Sequence, residues 1–544
     1  MQLENKNKLF DFSLVLSIFL LFSIFIIKSY TGDALLYVCA VGSGWKSFHP
    51  HHLLFNLTGF LFHKCFRLLG YSGGALYPMQ IMNAIFGSLT VYFFYLYAKS
   101  FLKDKTIAVL LSFVIVFSYG FWLNVSNPEV YISTLFFIAL SLLLTDKMVN
   151  NPTLLLITCS AISTSLSMLY HQISIFFFFF AIFYILLSKL DLKNKIKTIV
   201  IYSTISFVLT AGVYMFVGYF VEGIRTARDF NYWLTRYAHQ GEWGIWHGMS
   251  NIKASLKALF HVFYGGGGEE MFLKSLLKGN ISFGNIYLTA LFAGMAVSGI
   301  VFFYFAIKNF RIICDSLNWK IAAMTLWILM FGAFNTWWDP GNSEFALFLL
   351  FPLILIMGFL IEKISAKEIV KRIFLGIFVS FLFVFNFFGF IMSETKASSN
   401  GMLLITDFLK NRPKENQLIL NLGISSYREM AHYNYFVPYK VDAIYLSEEL
   451  KKANNNYAEY FINLKKLVDL NIKKGYKIYV DSKMLQPSAA NIKDLNIRHP
   501  GLEAKEIASF VERYDLFVVV KDEKQDLLYQ ITGLKNEAKN KSFN

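Results

Sequence analysis

"LFDFSLVLSIFLLFSIFII", residues 9–27, follows Lys6 and Lys8 and carries a single charge, Asp11. At 1.5 Å per residue such a run spans roughly 30 Å as a helix, the thickness of a bilayer's hydrocarbon core. It is longer than the apolar region of a signal peptide and has no A-x-A cleavage site, so it reads as a retained membrane anchor. Similar runs recur as far as residue 392. The composition agrees: of 544 residues, 56% are hydrophobic, 18% aromatic and only 16% charged, against about 25% charged in an ordinary soluble domain. A β-barrel would instead show alternating segments of about ten residues. The sequence therefore predicts an α-helical polytopic membrane protein.

About eleven spans are expected, near 9–29, 76–98, 106–123, 129–145, 153–170, 172–188, 199–221, 286–307, 320–337, 345–362 and 372–392. With the N-terminus in the cytoplasm, the inner connections are "KSFLKDKT", "TDKMVNNPT", "SKLDLKNKIKT", "KNFRIICDSLNWK" and "EKISAKEIVKR". All are short and basic, as the positive-inside rule requires. The net charge of +15 thus reports orientation and contact with membrane lipids, and no nucleic acid partner is expected. All ten histidines fall on the opposite side. Two long loops, about 30–75 and 222–285, and everything after residue 392 lie there too. The expected location is the inner (cytoplasmic) membrane, with the chemistry outside the cytoplasm. No "GxxxxGK[ST]" or "GxGxxG" argues for a nucleotide.

The first loop contains "HLLFNLTGFLFHKCFRLLG" (52–70), which has the pattern of an interfacial amphipathic helix. The second contains "RTARDFNYWLTRYAHQGEWGIWH" (225–247) and then "GGGG" (265–268), read as a flexible joint. Cys39 and Cys65 share the first loop, which leaves a disulfide between them open. After residue 392 the pattern turns soluble. "QLILNLG", "VDAIYLS", "YKIYVDS" and "DLFVVVK" alternate with helical stretches, which predicts a small extracytoplasmic α/β domain over 393–544, after a transmembrane catalytic domain over 1–392.

Ionisable groups at span ends are costly unless paired or functional. Asp33 in "TGDALL" is a possible catalytic base or merely a cap for a helix starting at Ala34. Glu129 in "SNPEVY" is a second catalytic candidate or simply an acid favoured in a helix's first turn. His171 in "LYHQIS" has an interfacial reading as well, and "WWDPGNSEF", with Asp339 and Glu344, fits a β-turn at "DPGN".

The order of these segments carries a resemblance. "TGD" after the first span, "HP" some sixteen residues later, "FWLNVSNPEVY" between spans three and four and "YHQ" between five and six resemble the GT-C membrane glycosyltransferases. Within that class the likeness is to the bacterial protein O-mannosyltransferase-like family. "HPHHLL", with His51 and His52 where the family has proline and glycine, departs from the pattern, as do Pro128 and the single histidine of "YHQ". The resemblance implies a GT-C-like fold and a polyprenyl-phosphate-linked sugar donor. The acceptor would be a protein, lipid or glycan.

Chemistry agrees with that reading. A lipid phosphate leaves readily, so one carboxylate to take the acceptor's proton and cations to hold the departing phosphate suffice. Glycosidases need two closely paired carboxyl groups instead. Asp33 fits the first role. Lys46, Arg67, Arg225, Arg228 and Arg236 are the candidates for the second, with His49, His51 and His171 shaping the site. No cofactor is called for. A divalent metal on His49, His51 and Glu129 stays open, although three histidines in four residues lack a zinc spacing. Two other functions compete: an O-antigen-type polymerase or ligase, which would use Arg and His in a large outer loop, and a transporter, which would call for repeats and broken spans.

Overall fold

The computed structural model describes residues 2–44, 48–239, 243–265, 283–412, 416–423, 426–450, 456–488, 501–522 and 525–535, with a few between 491 and 499. Lys46 and most of the "GGGG" stretch, Gly266–Gly268, lie outside the described residues. The chain divides into two compact units: residues 1–27 with 37–395, and residues 28–36 with 396–544.

The first unit is helical. Its elements are α1 (Gln2–Ile24), α3 (Phe55–Leu68), α4 (Leu76–Phe101), α5 (Lys105–Phe117), α6 (Tyr119–Ser126), α7 (Val130–Asn150), α8 (Leu154–Tyr170), α9 (Ile175–Leu187), α10 (Leu192–Phe216), α11 (Ala227–Leu234), α12 (Met249–Phe263), α13 (Phe283–Lys308), α14 (Trp319–Trp338), α15 (Leu350–Lys363) and α16 (Glu368–Phe383). α2 (Gly32–Ser43) begins in the second unit and continues into this one. Seven of the described helices are long and apolar enough to cross a membrane, and an eighth span results if the pair α5–α6, bent by 60°, counts as one. Leu9–Ile24, Leu154–Tyr170 and Gln172–Leu187 are shorter apolar helices. Each expected span falls on apolar helix, the one at 106–123 on the bent pair α5–α6, and this is a multi-pass membrane protein. α7 and the helix ending at Lys363 are 72% buried inside the protein, whereas Leu192–Val221 and Ile286–Lys308 are 17% and 11% buried. The first pair forms the centre of the bundle, and the second pair turns its apolar surface outward to lipid.

Polar side chains serve backbone groups that the helices leave open. Where α5 breaks at Ser118, the carbonyl of Phe117 accepts from Asn386 Nδ2 at 2.7 Å, as does the carbonyl of Phe263, and Asn386 Oδ1 accepts from the Gly265 amide at 2.9 Å. At one end of the bundle Asp104 caps α5 and binds Arg372 Nε at 2.7 Å. Asp146 receives Lys320 and the Tyr184 hydroxyl. Cys39 and Cys65 are free thiols. The amphipathic pattern of 52–70 forms α3.

The second unit is a mixed five-stranded sheet of order β2-β1-β3-β5-β4, with β1 (Gln417–Asn421), β2 (Ala443–Tyr445), β3 (Lys477–Asp481), β4 (Tyr514–Lys521) and β5 (Asp526–Leu534). β2, β1 and β3 are parallel, and β5 runs antiparallel between β3 and β4. The period-two alternation divides the core. Leu418, Leu420, Ile478 and Val480 face Leu464, Val468, Ile507 and Phe510, while Ile419 and Tyr479 face Ile405, Leu409, Tyr433 and Val437. Helices thus cover both faces: α17 (Gly401–Lys410) and α18 (Ser426–Phe436) one, α19 (Tyr457–Lys473) and Ala504–Val511 the other. Four strands fall where the sequence places them. β5 was not anticipated, because its apolar residues are interleaved with Tyr529, Gln530 and Thr532.

Candidate functional site

In the first unit, His49-Pro50 starts a single turn of 3-10 helix over Pro50–His52, capped by His49, whose Nδ1 accepts from the His51 amide at 3.4 Å. Proline suits this first position, where its missing N–H costs nothing. The turn is fixed from outside: Tyr214 donates to the Pro50 carbonyl at 2.6 Å, and the Leu54 amide donates to Leu169 at 3.1 Å. Leu53 is buried with Leu169, Tyr214 and Val217, under Phe230 and Trp233.

The imidazoles gather as a result. His49 and His52 stack at 4.5 Å with 11° between their planes, and His49 and His51 lie 5.4 Å apart. Tyr237, from the second long loop, packs 4.2 Å from His51 and 5.4 Å from His49. His171 is buried where α8 ends. Its Nδ1 accepts from the Ile173 amide at 3.2 Å, and its ring lies 5.3 Å from that of Tyr131. With Nδ1 accepting, the neutral rings of His49 and His171 carry their proton on Nε2.

Burial pushes all four histidines below their ordinary 6.5. His49 falls to about 4, helped by the Arg236 charge. His51 falls to about 2 through burial, then His49, His171 and Arg236. His171 falls to about 3 through burial, then His49, and His52 falls well below 6.5, also mainly through burial. The cluster is therefore neutral at physiological pH and presents N–H donors without charge. Among the described residues, His51 Nε2 and His52 Nδ1 are buried without a hydrogen-bond partner, a state that leaves buried nitrogens short of contacts an oxygen-rich ligand could supply.

As metal ligands these residues fit poorly. Stacked rings direct their lone pairs side by side rather than toward one point, and among the described residues no three His, Cys, Asp or Glu side chains converge for an ion.

Glu129 stands at the start of α7 and is 2% exposed. It occupies the N-cap position rather than the first turn, and its carboxylate makes no capping bond. Asn83 clamps its backbone, donating to the carbonyls of Asn127 at 2.7 Å and Glu129 at 2.8 Å. "DPGN" forms the expected turn, with the Asn342 amide donating to the Asp339 carbonyl at 3.1 Å.

The arginines separate. Among the described residues, Arg236 is the arginine whose charge acts on His49 and His51. Arg225 lies over the Tyr219 ring at 4.0 Å, and Arg67 reaches the Ser72 carbonyl at 3.5 Å. Arg228 is exposed on α11.

Asp33 belongs to the second unit. The helix cap expected of it is made by Thr31, whose Oγ1 accepts from the Ala34 amide at 3.0 Å. The Asp33 carboxylate instead accepts from Tyr427 Oη at 2.8 Å. Sequence reasoning left out Tyr427, Tyr131, Tyr237 and the membership of His52. Lone tyrosines in an aromatic-rich chain carry no local signal.

No family model matches the chain, and no curated protein matches it by sequence. Solved structures do. ArnT from Cupriavidus metallidurans, bound to undecaprenyl phosphate, aligns over 96% of this chain and 97% of its own, with TM-score 0.52 at 8% identity. The Archaeoglobus fulgidus oligosaccharyltransferase, in complex with zinc and sulfate, aligns over 92% of this chain and 71% of its own, with TM-score 0.50 at 15% identity. The chain has a GT-C-like fold. At such identities the likeness concerns the path of the chain, and the mannosyltransferase-like subfamily of the sequence reading draws no separate support from it.

Proposed function

We propose that the chain is an inverting glycosyltransferase that moves a sugar from a polyprenyl-phosphate donor to an acceptor hydroxyl outside the cytoplasm. The observation that carries this reading is the neutral, buried histidine cluster flanked by Arg236, set within a GT-C-like fold. A lipid phosphodiester presents anionic oxygens in a region of reduced dielectric, where N–H donors and one cation are strong partners. ArnT, a structural neighbour bound to undecaprenyl phosphate, supports the same donor class.

In the reaction the acceptor oxygen attacks the anomeric carbon, and the bond from that carbon to the phosphate oxygen breaks. The electron pair leaves with the lipid phosphate, held by Arg236 and by imidazole N–H groups. The acceptor's proton passes to the Asp33 carboxylate. Glu129, clamped by Asn83, orients the acceptor side.

Purified full-length protein in proteoliposomes, given radiolabelled undecaprenyl-phosphate sugars and membrane extract as acceptor, tests the reading. Label should move from lipid into a covalent product. Label that crosses the bilayer still attached to its lipid would establish a transporter. Extension of a lipid-linked glycan alone would favour the polymerase.

A further inference from the structure

The segment carrying "TGD" is covalently the link between α1 and α2, yet it packs with residues 396–544. Hydrogen bonds and ring contacts hold it there. The Lys28 carbonyl accepts from Asn400 Nδ2 at 2.7 Å, Ser29 Oγ from Arg428 Nη2 at 3.4 Å, and Asp33 Oδ1 from Tyr427 Oη at 2.8 Å. Tyr30 lies 5.9 Å from Phe436 and 6.5 Å from His432. Gly32 closes the arrangement. A Cβ there would meet Tyr427 Cδ1 at 2.7 Å and the Arg428 Cα at 3.3 Å, so α18 approaches the "TGD" backbone as closely as a glycine permits. Three of these partners, Tyr427, Arg428 and His432, share the first two turns of α18, which begins at Ser426.

We propose that Tyr427 is a positioning residue for Asp33, by which the C-terminal α/β domain sets the orientation of the general base. This rests on the reading of Asp33 as that base. A carboxylate on a two-bond side chain turns freely unless one oxygen is held. The phenol engages Oδ1 and leaves Oδ2 as the oxygen that takes the acceptor's proton. In this contact the phenol is the donor and Asp33 Oδ1 the acceptor, so the bond occupies one carboxylate oxygen and not the other. The α/β domain, which has no catalytic motif of its own, thereby acquires a part in turnover.

A double-mutant cycle on full-length protein in proteoliposomes tests this, with radiolabelled undecaprenyl-phosphate sugars as donor and serial dilutions of membrane extract as acceptor. Tyr427→Phe keeps the ring against Gly32 and removes only the hydroxyl. It should lower kcat about tenfold, the order expected for one hydrogen bond to a charged group, and leave donor KM and the half-saturating extract dilution unchanged. In an Asp33→Asn background the same change should cost nothing further, because residues that act as a unit are not additive. Three results would overturn the proposal: wild-type kcat in Tyr427→Phe, a shifted extract dilution at unchanged kcat, or the same tenfold loss repeated on Asp33→Asn. Full turnover by Asp33→Asn itself defeats the base assignment, and the role of Tyr427 with it. An inactive Asp33→Asn beside a fully active Tyr427→Phe defeats the tyrosine alone.

Discussion

Asp33 accepts a hydroxyl and leaves the capping of α2 to Thr31, so its side chain is not needed for the helix to start. Asp33→Asn preserves an acceptor oxygen for Tyr427 but removes the proposed base. It should leave thermal unfolding in detergent nearly unchanged while turnover falls by about 10²–10⁴; wild-type turnover would take Asp33 out of the chemistry. The histidines make a different prediction, about pH. Their folded pKa values, about 4, 2 and 3 for His49, His51 and His171, lie below the 6.5 that the unfolded chain restores. Below pH 6.5 the unfolded state therefore binds more protons, so the contribution of the neutral cluster is whole above that pH and is lost progressively as pH falls toward the folded values. The melting temperature should drop between pH 6.5 and 4. His51→Gln should flatten that slope, and an unaltered slope would mean that the ring is not held neutral.

Among the elements, the broken helix α5–α6 shows how a polar residue within a span is retained. Asn386 satisfies the Phe117 and Phe263 carbonyls and the Gly265 amide, groups for which hydrocarbon offers no alternative partner. Asn386→Leu orphans all three. At about 1–3 kcal/mol for each buried unsatisfied group, it should lower thermal stability markedly or prevent purification of folded protein, and a melting temperature equal to wild type would refute the account. The second long loop contributes Arg236 and Tyr237 to the histidines, while Arg67 and Arg225 are engaged with Ser72 and Tyr219. Arg236→Ala should raise donor KM about tenfold, the lower end expected for a charge-assisted contact because the guanidinium is exposed. Arg67→Ala should change it less than twofold. The reverse ranking would move the phosphate site away from the histidines.

On the scale of the whole molecule, orientation follows from the charge of short connections. Arg372 and Lys320, which sit in or beside expected inner connections, bind Asp104 and Asp146, so part of that basic charge is paired within the protein. We propose that the remaining surplus places the N-terminus inside. A reporter that works only in the cytoplasm, fused after Asn544, should be silent while the same reporter at the N-terminus is active. An active C-terminal fusion would reverse the proposed face of catalysis.

The sequence by itself determined the class of fold. Runs of about twenty apolar residues have one low-energy form in a bilayer, since every backbone polar group must be satisfied within the segment. The sequence also marked β1, β2, β3 and β4 as short apolar runs set between helical stretches. It also brought forward Asp33, Glu129, His49, His51 and His171, because ionisable groups beside hydrocarbon stand out. Tertiary structure decided which of these residues are neighbours. His171 lies some 120 positions beyond His51 and reaches the cluster through the end of α8, and Arg236 arrives on a separate loop. The short segment at 28–36 packs with residues 396–544, far along the chain. No local pattern encodes such pairings. They arise from closing long loops around a buried core, where shape and unsatisfied hydrogen bonds, rather than periodicity, select the partner.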